Sequence, residues 1–257
     1  QFLLAIAFAL TCTAASAQNA YIPNQGDGTV SVIDTTNDTV IATVVVGRYP
    51  IGVGVSPDGS KVYIGNASDN TVSVINTADN TVIATVGLTG ENSRGVSVSP
   101  DSSKMYVANS DSYSVSVINA ANNTVIATVE VGSGPRGVAV SPNSSKVYVA
   151  NTDSNTVSMI DSTTNTVSAT VTVGSGPVGV AVSPNGLKVY VANWGSNTVS
   201  VINTATNAVT TTVGVGDAPG AFGNFIGPAL DPEPVPTAVP TLSQWAMIGL
   251  GLLLAGL

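Results

Sequence analysis

Acidic and basic side chains recur in this chain at nearly constant spacing. Asp27, Asp69, Asp111 and Asp153 follow one another at 42 residues, and Arg48, Arg94 and Arg136 stand between them. Carboxylates accept hydrogen bonds and guanidinium groups donate them in a planar fork, so such a set suits polar recognition. Two aromatics break the repetition, Tyr113 in "NSDSYS" and Trp194 in "NWGSN". A ring beside Asn and Asp can stack on a sugar or a peptide, and it can equally cover a neighbouring loop. The candidate ligand-binding residues are therefore Arg48, Asp69, Arg94, Asp111, Tyr113, Arg136, Asp153 and Trp194.

Other chemistry finds little footing. The chain has no histidine, so the usual general base and the commonest metal ligand are missing. Its one cysteine, Cys12, lies in a segment expected to be removed. The serines lack the base a triad needs, and the glycines of "VGSGPRGVAV" precede no helix that would hold a phosphate. "NTDSN" has oxygen ligands at calcium-loop spacing, but it lacks the charge and the distant Glu, and Asx turns explain it better. No catalytic residue, metal or cofactor is assigned, and no enzyme is expected. With 7 Lys and Arg against 15 Asp and Glu, the net charge of −8 disfavours a nucleic-acid partner.

The elements that must position these side chains repeat with them. Tyr-x-x-Asn occurs at Tyr21, Tyr63, Tyr106, Tyr148 and Tyr190, in steps of 42, 43, 42 and 42 residues. Within the fourth unit four apolar runs, 137–141, 146–151, 156–161 and 166–171, are separated by "PNSS", "TDSN" and "STTN". Val, Ile and Thr favour strands, and the Pro, Asn, Asp and Ser between them favour turns. In "KVYVAN", Val147 and Val149 point one way while Tyr148 and Ala150 point the other, so both faces must be buried. A period of this length with four strands per unit is that of a propeller blade. The loops after each second strand then share one face with the links between blades, which gathers the candidate residues there. Lys61, Lys104, Lys146 and Lys188 fall on the opposite face, as solvated strand ends.

The expected fold is all-β, a five-bladed β-propeller of four-stranded antiparallel blades. The N-terminal unit supplies three strands, and residues 220–227 supply the fourth that closes the ring. An open array joined between chains is the alternative. "YIPN", "YIGN" and "YVAN", with "SPDGSKVY" and "NTVSVI" around them, resemble the YVTN β-propeller repeat family across residues 21–227. That resemblance implies an extracytoplasmic propeller, such as a surface-layer or periplasmic protein, without fixing an activity.

Both ends read as addresses. Residues 1–17 show an apolar run and an Ala15-Ser16-Ala17 cleavage pattern, the mark of a secretory signal. The propeller is placed at 18–227, and prolines at 228, 232, 234, 236 and 240 make 228–241 an extended linker. Residues 242–257 form a charge-free apolar segment, expected to be a helix cut short of the ~20 residues of a membrane span. "VPTLSQW", residues 239–245, resembles the IPTL C-terminal sorting signal of Gram-negative bacteria through Pro240, Thr241, Leu242, Ser243 and Trp245. It differs from that signal by Val239 for Ile, Gln244 for Glu and Ala246 for Gly. The resemblance implies an exosortase-type sorting protease as a partner, a membrane tether before processing, and a final place at the cell surface. The resulting expectation is an exported binding or structural module of the envelope or matrix, with a protein or glycan partner. The competing expectation is a periplasmic propeller enzyme of lactonase-like or quinoprotein-like type.

Overall fold

Alternating Val, Ile and Thr between Asn- and Ser-rich turns fold every repeat into antiparallel strands. The first sheet holds β1 (Asn19–Asn24), β2 (Thr29–Asp34) and β3 (Thr39–Val45). The second holds β4 (Pro50–Val55), β5 (Lys61–Asn66), β6 (Thr71–Asn76) and β7 (Thr81–Gly87). The third is built of β8 (Ser93–Val98), β9 (Lys104–Asn109), β10 (Ser114–Asn119) and β11 (Thr124–Glu130). The fourth contains β12 (Pro135–Val140), β13 (Lys146–Asn151), β14 (Thr156–Asp161) and β15 (Thr166–Thr172). The fifth contains β16 (Pro177–Val182), β17 (Lys188–Asn193), β18 (Thr198–Asn203) and β19 (Ala208–Gly214).

This computed structural model describes residues 19–221, 223, 225 and 226. The chain divides into two compact units, Gln1–Ile226 and Gly227–Leu257, and the described residues belong to the first. The expected signal peptide, linker and apolar C-terminal helix, with the sorting residues, lie outside the described residues. Among the described residues no helix is long and apolar enough to cross a membrane.

Neighbouring sheets stack face to face in chain order. One face of each sheet carries the Tyr of Tyr-x-x-Asn. Tyr63, Val72, Val74 and Val86 of the second sheet pack on Val96, Met105, Val107 and Ile118 of the third. The same contact joins Tyr106 to Val147, Val149 and Ile160, and Tyr148 to Val189, Val191 and Ile202. Tyr21, Val30 and Val32 meet Val62, Ile64 and Ile75 in the same way. Each side chain so buried contributes roughly 1.5–3 kcal/mol, so the sheets hold one another rather than standing alone. The innermost strands β4, β8, β12 and β16 converge on a cavity of about 590 Å³ lined by Val53, Val96, Val138, Val182 and Gly223. They approach so closely that a Cβ on Gly52, Gly95 or Gly137 would overlap the backbone carbonyl of Arg94, Arg136 or Val178.

The lysines are not all solvated ends. Lys61 Nζ donates to Ala120 O of the next sheet at 2.9 Å, and Lys104 Nζ donates to Ser162 O. The four-carbon stem spans the gap between sheets and delivers the ammonium to a turn carbonyl, tying adjacent sheets on that side.

The expected closure is not made. Among the described residues no strand follows β19, and the first sheet has three strands in the order β1-β2-β3. Ala221 does sit against Gly179 as Arg94 sits against Gly52, so the chain reaches the innermost position. It does not form a ladder there. Gly223 at φ 85° interrupts extended backbone, and "GAFGNF" lacks the β-branched alternation of the other inner strands.

Candidate functional site

The hairpin loops after β1, β5, β9, β13 and β17 share their face with the links between sheets, because backbone hydrogen bonds zip the two together. Ala67 N donates to Tyr49 O, Ser110 N to Asn92 O, Thr152 N to Gly134 O and Trp194 N to Gly176 O, at 2.9–3.0 Å. An Asn on the loop adds a second tie. Asn70 Oδ1 accepts from Asn92 N at 2.9 Å, Asn155 Oδ1 from Gly176 N at 2.8 Å, and Asn197 Oδ1 from Ala218 N at 2.9 Å. All three Asn residues adopt φ of 54–56°, the left-handed region that Asn and Gly tolerate.

Ala218 at φ 50° departs from this rule with a small side chain, and two positions depart from it with tyrosine. Tyr113 at φ 51° replaces the loop Asn, and Tyr49 at φ 55° occupies the link position filled elsewhere by Asn92, Gly134, Gly176 and Ala218. Left-handed backbone on a bulky residue costs on the order of 1–2 kcal/mol. Both rings are about half exposed, Tyr49 at 46% and Tyr113 at 51%, so ordinary core packing does not explain the strain.

Between the second and third sheets these loops enclose a cleft of about 420 Å³ lined by Tyr49, Ser68, Asn70, Glu91, Arg94 and Asp111. Asp111 accepts from Asn92 Nδ2 at 3.0 Å. Glu91 N donates to Ser112 Oγ at 2.8 Å, which fixes the acidic loop. Among the described residues Arg94 makes no ion pair, and its Nε is buried without a partner. Arg94 also lines the neighbouring cavity of about 290 Å³ at the inner strands, together with Gln25, Ile51 and Gly223. The cleft thus offers a donor fork, two carboxylates and the face of a phenol ring.

The structure brings some expected residues together and separates others. Arg94 and Asp111 share the cleft, with Tyr113 two residues beyond Asp111. Arg48 and Asp69 are instead engaged with each other. Arg48 Nε lies 2.5 Å from Asp69 Oδ1, and Arg48 N donates to Asp69 Oδ2 at 2.7 Å. These bonds, the backbone one foremost, hold the Asp69 carboxyl below its ordinary value. Arg136 is half-buried on β12, with its Nε also unpartnered. Asp153 lies over Gly134, where a Cβ would collide with its carboxylate. Trp194 stands apart on the fifth sheet, 56% exposed, with its ring beside Gly176. Asn151 of the calcium-like run turns inward, donating to Thr156 Oγ1 at 3.0 Å and Ser158 Oγ at 2.9 Å. No group of three metal-binding side chains occurs among the described residues. Sequence reasoning missed Tyr49. Its signal was present, since "GRYP" carries Tyr where "GSGP" carries Gly at the same place in the fourth and fifth sheets.

The IPTL-CTERM motif matches residues 237–257, which points to an exported, surface-sorted protein. No curated protein matches the chain in sequence. Among solved structures, hydrazine synthase of Kuenenia stuttgartiensis aligns with a TM-score of 0.58 and 17% identity, over 78% of this chain and 84% of that one. A functionally unknown protein from Desulfotomaculum acetoxidans aligns with a TM-score of 0.69 and 19% identity, over 80% of this chain and 70% of that one. At such identities the likeness is one of fold alone.

Proposed function

We propose that this chain is an exported, surface-directed module of the cell envelope or extracellular matrix, with a YVTN-type propeller architecture, that binds rather than catalyses. The IPTL-CTERM match supports the address. An exosortase-type sorting protease acts on that segment, and a membrane tether precedes processing in a Gram-negative-type host. The observation that carries binding is the pair of strained, half-exposed tyrosines, of which Tyr49 lines the cleft that holds Arg94 and Tyr113 follows Asp111 of that cleft by two residues. Conformational cost is retained where a side chain has work outside the fold.

The ligand is a surface glycan. Tyr49 and Tyr113 present flat apolar faces to a sugar ring, Arg94 donates to its oxygens, and Asp111 and Glu91 accept from its hydroxyls. A glycan array with the purified chain, followed by titration calorimetry, tests this. Binding lost about tenfold or more in both Tyr113→Ala and Arg94→Ala supports it, in keeping with a lost contact of ~1.4 kcal/mol or more. Absence of any glycan ligand, or binding indifferent to both changes, overturns it.

A further inference from the structure

We infer that the two end faces of the sheet array are complementary and join head to tail with a second copy of this chain. The forward face of the fifth sheet carries Tyr190, Val199, Val201 and Val213. Its counterparts on the first four sheets are buried against the next sheet. Val30, Val72, Val115 and Val157 are each 0% exposed where Val199 is partly exposed, and Val44, Val86, Val129 and Val171 are 6–8% exposed where Val213 is 45% exposed; Val201, at the middle of the face, stays buried at 6%. The backward face of the first sheet carries Ala20, Ile22, Ile33 and Val40. The counterparts of Ile22, namely Ile64, Val107, Val149 and Val191, are each 0% exposed, whereas Ile22 is 48% exposed; Val40, at the outer rim, is 59% exposed where Val167 is 37%. Among the described residues four such interfaces form, and one half of each kind is left without a facing sheet.

Smaller features agree. In each of the four internal interfaces a link glycine, Gly47, Gly90, Gly132 or Gly174, packs directly on the buried Asn of the next sheet, and Gly47 N donates to Asn66 Oδ1 at 3.1 Å. The fifth link glycine, Gly216, has nothing within 4 Å of its Cβ position, and Asn24 of the first sheet is only half-buried. Among the described residues, the chain's own first sheet does not make this glycine–Asn contact with the fifth. Ala221 already holds the innermost position on Gly179, ready for a β1-type strand beside it. A second copy supplies that strand, the Ile22 face and Asn24 together. The contact is heterologous, so it propagates unless the rotation closes.

Sedimentation velocity of the full chain in mild detergent tests this with two variants. Ile22→Lys with Val40→Lys blocks the first sheet, and Val199→Lys with Val213→Lys blocks the fifth, while Ile83→Lys on an equally exposed site outside both faces is the control. The native chain and the control are expected to associate with rising concentration. Each blocked variant is expected to weaken association by ~30-fold or more, the loss typical of an interface hot spot. A mixture of the two blocked variants is expected to form a one-to-one dimer through the intact pair of faces. A native chain that stays monomeric, association that survives both blocks, or a mixture that gives no dimer overturns the inference. Should the lysines prevent folding, Ile22→Cys with Val213→Cys in a Cys12→Ser background decides by cross-linking. Intermolecular ladders support the second copy, and a cross-link confined to single chains refutes it.

Discussion

Tyr113→Asn separates a tyrosine kept for binding from one kept for the fold. In the second, fourth and fifth sheets Asn stands at this place, at φ 54–56°, and accepts a hydrogen bond from the following link. In the third sheet the corresponding donor is Gly134 N, and Tyr113 cannot accept it in that manner. The substitution relieves ~1 kcal/mol of left-handed strain and restores a hydrogen bond worth ~1 kcal/mol. Against this stands the loss of a ring that is 51% exposed, about half the burial of a large side chain, or ~1 kcal/mol. The balance favours the variant by about 1 kcal/mol, a rise in melting temperature of ~2–4 °C for a domain of this size. Thermal unfolding followed by circular dichroism measures the shift, and calorimetric titration measures ligand affinity on the same samples. Greater stability with weaker binding is the expected pair. A variant that melts several degrees lower would show that the ring covers its neighbours and that strain at this position serves the fold rather than binding.

Three other perturbations follow from the packing. Gly95→Ala places a methyl against Arg136 O on the adjacent inner strand, so it should destabilise by ~1–3 kcal/mol or more in denaturant unfolding. Lys61→Met removes the donor to Ala120 O and should lower stability by ~1–2 kcal/mol, visible as a reduced urea midpoint. On the alkaline side, burial pushes the Tyr106 phenol up to about 12 and raises those of Tyr63 and Tyr148 as well. The unfolded phenols ionise near ~10, so this contribution is full below that pH and is lost as pH rises through the folded values. Phenolate absorbance should appear together with loss of sheet signal. On the acid side, hydrogen bonds from Ser56 and Ser60 lower Asp58 to about 2, and Asp34, Asp101 and Asp161 are lowered too. Their contribution is present above ~4 and is lost as pH falls from there toward 2, which an acid titration of melting temperature would register.

The strands were legible because their side-chain pattern is local. The fourth unit's runs fall within a residue or two of β12 to β15, and Tyr148 and Ala150 are buried at 1% and 0% on the face opposite Val147 and Val149. Partnerships across sheets were not. Lys61 meets Ala120 across 59 residues, and a lone Lys at a strand start carries no mark of that reach. The candidate site was half legible for the same reason. Arg94 and Asp111 repeat in register, whereas Tyr49 stands out only when its link is aligned on the left-handed positions of the others.

Closure was the least legible feature, because strand counting treats any trailing segment as able to pair. Pairing also requires backbone that stays extended and side chains that fill the facing sheet. Residues 220–226 carry Gly220 and Gly223 where β16 carries Val178 and Ala181. The innermost place is therefore occupied by chain that holds position without supplying a ladder. Thr211 similarly stands where β3, β7, β11 and β15 have Ala42, Ala84, Ala127 and Ala169, which makes the last forward face more polar at its outer rim than the internal ones. The four internal interfaces hold through repeated apolar contacts, while the two ends keep the Asn24 and Gly216 halves of the same contact apart. An array finished in this way keeps an address at its junction, because only a face bearing both the Ile22 surface and Asn24 completes it.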